Sequence, residues 1–187
     1  MELMIVRGVL ILILVAAAIV DLRTQKIPNV LNYSTMLYGL IANTVLLGLN
    51  GLVISLQGLG LGLALLLLFY ALGFMGAGDV KLMGALGSVL GPGDTLDSFL
   101  YIGLIGGVYA LLVILSPGSP SRQFLKRYWL IIKTFLYTKQ FSYFSPSQEE
   151  RKVKLCYGVA ISLGAICHIA FSHLGYASLP DLMSSIF

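Results

Sequence analysis

The sequence predicts an all-α membrane protein that crosses the bilayer about six times, and three observations predict it. Of 187 residues, 58% are hydrophobic and 11% charged, where a soluble domain carries roughly a quarter charged residues. The apolar residues gather into runs, most of them long enough to span about 30 Å of hydrocarbon, with short polar breaks between them. The basic residues fall almost entirely on one side of those runs. The net charge of +4 invites a nucleic-acid reading, but the bases are too few and too dispersed for a phosphate-binding face, and in a membrane protein such an excess records topology.

The first apolar run covers residues 3–20, interrupted by Arg7. It continues for about a full span and lacks a small-residue cleavage site, so no cleavable signal is expected. It ends in the polar break Asp21 to Asn29, where Pro28 disfavours helix at Ile27 and can open the next helix. A second span is expected over residues 30–49, a tight turn at Asn50-Gly51, and a third span over 52–74. Gly58, Gly60 and Gly62 give that third span a smooth surface for close packing. A glycine-rich break holding Asp79 precedes a short fourth span over 80–90. Gly91-Pro92-Gly93-Asp94 is a turn signal. A fifth span follows over 98–115, then a long basic and aromatic connection at about 117–154, then a sixth span over 155–171. The whole, residues 1–187, reads as one membrane-embedded domain.

Eleven of the twelve Lys and Arg residues lie after spans one, three and five; Arg7 alone lies near the other side. The positive-inside rule makes the basic side the cytoplasm, with six spans and both termini outside. Residues 122–144 mix Lys126, Arg127 and Lys133 with aromatic rings. This pattern predicts a helix lying in the cytoplasmic interface, held by anionic headgroups of the bilayer. Cys156 and Cys167 have no metal-binding spacing, so neither a metal nor another cofactor is expected. His168 and His173 fall near the outer end of span six and read as packing or interface residues.

Of eight acidic residues, six lie in loops, tails or outer turns. Asp21 ends an outside-to-inside span and Asp79 begins an inside-to-outside one, so the topology places both at one membrane depth. A carboxylate at such a junction is costly unless it is paired, wet or functional. Two carboxylates a few ångströms apart share a proton near neutral pH. One can then act as general base on a water while the other donates to a peptide carbonyl. The glycines Gly76 and Gly78 leave room for an extended peptide, and Lys81 could hold Asp79 ionised, although a lysine at a membrane boundary is more often a snorkelling anchor. The competing reading makes Asp21 a helix-end residue held by Arg23, and Asp79 an N-cap.

These residues resemble a known family. Gly76-Ala77-Gly78-Asp79, followed by Val80-Lys81, is similar to the GxGD motif of membrane aspartyl proteases in its prepilin peptidase form. Asp21 followed by Ile27-Pro28-Asn29 resembles that family's first aspartate segment. Tyr157-Gly158 resembles its late Pro-aromatic-Gly-Pro segment, with Cys156 and Val159 standing where prolines are usual. The resemblance implies an endopeptidase with Asp21 and Asp79 as catalytic residues, removing the short basic leader of type IV prepilins or pseudopilins at the cytoplasmic face of the inner membrane. Many members carry two CxxC pairs linked to N-methylation; this sequence has none, so methyl transfer is not expected. The small size is similar to Flp or tight-adherence peptidases, or to archaeal-type preflagellin peptidases. A proton- or cation-coupled transporter using the two aspartates is the reading from another class. It requires polar residues through the middle of several spans, and Asn43, Thr44, Ser55 and Gln57 are few.

Overall fold

A computed structural model describes residues 2–73, 75–115, 129 and 156–173, and every element among them is helical. The chain divides into two compact units, Met1–Gly106 with Cys156–Phe187, and Gly107–Leu155. The second unit contributes, among the described residues, only the last turns of one helix and Trp129. The expected interfacial helix within residues 117–154 lies outside the described residues apart from Trp129.

Helix α1 is Glu2–Thr24. Its buried residues are Val6, Leu10, Leu14, Ala17 and Asp21. Steps of four, four, three and four put them on one helical face. Asp21 therefore continues the packing stripe, and the helical phase alone aims its carboxyl inward. Leu12, Val15, Ile19 and Leu22 on the remaining surface are exposed, as lipid-facing residues would be. Gln25 closes the helix in the left-handed region, φ 52°, with its N–H donating to the Asp21 carbonyl at 2.8 Å.

Helix α2 is Asn29–Ala71, 43 residues, opened by Pro28 in an extended conformation and broken at Gly48 (φ 64°, ψ −145°). That conformation is open to glycine at little cost. The chain folds back there into two antiparallel limbs. Asn43 Nδ2 donates to Ser55 Oγ at 2.9 Å, and Ser55 Oγ to the Gly39 carbonyl at 3.0 Å. The turn thus falls at Gly48, not at the expected Asn50-Gly51. Gly51 is used for contact instead: a Cβ there would lie 1.8 Å from the Asn43 carbonyl oxygen.

Helix α3, Ala77–Leu90, lies against both limbs. It runs parallel to the first limb, where Asn43 Nδ2 reaches the Ser88 and Val89 carbonyls at 3.0 and 3.1 Å. It runs antiparallel to the second, where Gly58 meets Gly87 and Gly62 meets Met83. Ten of the eleven residues from Asp79 to Val89, all but Lys81, are buried. A helix of 14 residues is about 21 Å long, so the expected fourth span is a short core helix wrapped by the α2 hairpin. Of the three glycines expected to make a close-packing surface, Gly58 and Gly62 do so, while Gly60 has no neighbour within 4 Å.

A Cβ at Gly58 would sit 2.1 Å from the Gly87 carbonyl oxygen, and backbone cannot move aside as a side chain can. Gly58→Ala should therefore cost about 3 kcal/mol or more, overpacking at an interface with no slack. Thermal unfolding of the purified protein in detergent would measure it; an unchanged midpoint would rule out this helix contact.

Helix α4 is Pro92–Leu115 and α5 is Tyr157–His173. α4 starts six residues before the expected fifth span because Gly91 (φ 80°) makes the break alone and Pro92 suits a first helical position. α5 packs along α1. At the end of α1 away from Asp21, Arg7 pairs with Asp94 and donates to Ser172 Oγ at 3.2 Å. His168 is buried there with its ring 5.7 Å from that of Tyr101, a packing position as expected. Glu2–Thr24, Asn29–Ala71 and Pro92–Val113 are, among the described residues, the three helices long and apolar enough to cross a membrane.

Candidate active site

Three sequence segments meet at the Asp21 end of α1. The segment Ile27-Pro28-Asn29 turns the chain from α1 into α2. Gly76-Ala77-Gly78-Asp79 turns it into α3, and Tyr157-Gly158 begins α5. Ile27 stands at the centre. Its backbone and Cβ lie 3.4–3.6 Å from where a Gly78 Cβ would be, and its Cδ1 lies 2.7 Å from a Gly158 Cβ position. One apolar side chain thus ties all three together.

Asp79 occupies the third position of α3, and its burial leaves 9% of its surface exposed. Its Oδ2 accepts from the Gly76 N–H at 3.0 Å, the acidic half of a capping box at a helix start, where the dipole also favours negative charge. A Cβ at Gly76 would lie in ordinary contact, 3.4 Å from that oxygen. The competing N-cap reading is therefore partly met for Asp79: one oxygen serves the helix.

Asp21 is 4% exposed. Its carboxyl faces the backbone N–H groups of Gly158 and Val159 at the start of α5. The approach is possible because residue 158 has no side chain: a Cβ there would fall 2.8 Å from Asp21 Oδ2. The same oxygen has no hydrogen-bond partner among the described residues. Arg23 does not hold Asp21; the ion pair among the described residues is Arg7 with Asp94.

Asp21 Oδ2 and Ile27 Cδ1 both border the Gly158 Cβ position, and Ile27 also packs on Gly78, the residue before Asp79. The two carboxylates, 58 positions apart in the chain, are thus carried by segments that meet on one side chain. Tyr157 is set by α4, its hydroxyl 2.8 Å from a Gly106 Cβ position.

Lys81 differs from expectation. Its Nζ donates to Asn29 Oδ1 at 2.9 Å and lies 5.2 Å from the Tyr33 ring centroid. It ties the second aspartate segment to the first instead of neutralising Asp79. Sequence reasoning missed Asn32, whose Nδ2 donates to the Gly78 carbonyl at 3.2 Å. Its signal was an amide one turn after Asn29, at the head of a mostly apolar run. No group of three or more metal-ligating side chains occurs among the described residues.

Comparison of the chain with curated proteins and with solved structures finds no match. A family model does match, that of the type IV leader peptidase family, over residues 8–111. The matched stretch is more than half of the chain and contains both aspartate segments, which the fold brings to one end of α1 and α3. The chain belongs to the type IV leader peptidase family.

Proposed function

We propose that this chain is an aspartic endopeptidase that removes the leader of type IV prepilins or pseudopilins at the cytoplasmic face of the inner membrane, with Asp21 and Asp79 as the catalytic pair. Family membership gives the peptidase and its prepilin-type substrate. The observation that carries the aspartic mechanism is that two buried carboxylates are delivered by separate segments that pack on the same Ile27.

In this reading the two acids hold one proton between them. The ionised one removes a proton from a water, whose oxygen attacks the scissile carbonyl. The protonated one donates to the carbonyl oxygen; the proton taken from the water then passes to the leaving nitrogen as the C–N bond breaks, and a hydroxyl of the tetrahedral intermediate returns its proton to the other aspartate. Gly76 lets the extended leader approach Asp79, and the start of α5 at Gly158 seats Asp21. The substrate's apolar helix stays in the bilayer and its cleavage point stops at headgroup level. Six passes, with the bases of residues 117–154 on the cytoplasmic side against anionic headgroups, give this placement.

A transporter reading finds no support, because Asn43 and Ser55, the polar pair inside the α2 hairpin, are consumed by bonds between helices. Co-expression with a prepilin-type protein, followed by mass spectrometry of its new N-terminus, tests the proposal. Loss of the basic leader after a glycine is expected; an intact leader in the presence of the folded enzyme would refute it.

A further inference from the structure

Asn32 is buried completely, with 0% of its surface exposed. Its Nδ2 donates to the carbonyl of Gly78, in the peptide bond that leads into Asp79. Its Oδ1 is buried as well and takes no hydrogen bond among the described residues. Turning the amide over would set two acceptors, Oδ1 and the Gly78 carbonyl, against each other, so the orientation follows from chemistry. A tie to Gly78 needs only the donor. The second polar atom, buried and without a donor among the described residues, is a cost that packing does not explain.

Asp21 Oδ2 is a second buried oxygen at this end of the molecule without a donor among the described residues. Both oxygens belong to residues grouped round Ile27, through Gly78 on one side and Gly158 on the other. Both are acceptors, and a water molecule brings two O–H donors.

We propose that Asn32 is a positioning residue of the peptidase site: Nδ2 fixes the backbone that carries Asp79, and Oδ1 accepts a hydrogen bond from a water of the site. The inference rests on the aspartic-peptidase reading above. It gives Asn32 an effect on turnover, not on substrate affinity, because its two polar atoms act on the backbone that carries Asp79 and on a water, not on the leader.

The test uses the full-length enzyme in detergent with a prepilin-type protein as substrate, measuring kcat and KM separately. Asn32→Leu keeps the volume and loses both polar atoms; Asn32→Asp keeps the shape and, ionised, loses the donor. For both, kcat should fall about 10- to 100-fold while KM stays within about threefold of wild type. A wild-type kcat in folded Asn32→Leu, or a loss carried entirely by KM, overturns the proposal. Asp21→Asn is assayed in parallel. If Asp21→Asn cleaves at the wild-type rate, the aspartic reading itself fails; if it is inactive and Asn32→Leu is not impaired, only the role of Asn32 fails.

Discussion

Asp21→Asn and Asp79→Asn should each lower leader cleavage by about 10³-fold or more while leaving the fold intact, since general acid–base groups of this kind account for about 10²–10⁴ in rate. Asparagine matches aspartate in shape and keeps an oxygen acceptor. In Asp79→Asn that oxygen can still take the Gly76 N–H, so α3 keeps its cap. In Asp21→Asn it can still face the Gly158 and Val159 N–H groups. What is lost is the capacity to take and return a proton. A time course of the substrate band shift gives the rate, and thermal unfolding in detergent gives the fold. If the carboxylates serve only as helix caps, the Asn variants cleave normally and that outcome rejects the catalytic assignment.

Gly158→Ala should cost about 10²-fold in activity with little loss of stability, the size of effect expected from a misplaced catalytic group. The added Cβ would lie 2.8 Å from Asp21 Oδ2 and 2.7 Å from Ile27 Cδ1. Both are ends of side chains, which can swing aside cheaply. The fold therefore accommodates the methyl group, and the accommodation displaces the carboxyl. Gly58→Ala is the contrasting case, where backbone meets backbone and stability is what falls. Measuring rate and unfolding midpoint for both variants separates the two effects. Equal activity of Gly158→Ala and wild type would show that Asp21 needs no fixed place against α5.

The two aspartate segments were legible in the sequence because their chemistry is local: a carboxylate at the end of an apolar run, and another after a Gly-x-Gly break. The stripe Val6, Leu10, Leu14, Ala17, Asp21 could be read as helical phase. The hairpin turn was not legible. Asn50-Gly51 is the stronger dipeptide signal, but the register of the limbs is fixed by Asn43, Ser55 and Ser88, whose bonds join the two limbs of α2 to each other and to α3. Those tertiary bonds place the reversal at Gly48 and leave Gly51 for packing. The start of α4 was missed for a local reason, since proline reads as a breaker although it fits the first turn of a helix. The partners of Lys81 were not legible: its length and flexible stem carry it past Asp79 to Asn29 and Tyr33. Arg7, a lone base in the first run, gains its partner Asp94 only through the packing of α1 beside α4 and α5.

The most direct test of joint action by the two acids is a double-mutant cycle on kcat/KM with Asp21→Asn, Asp79→Asn and the combined variant. Groups that act as one unit give losses that do not add, so the double variant should be no slower than the slower single variant, within about threefold. Losses that multiply, or a single variant retaining the wild-type rate, would contradict a shared catalytic site.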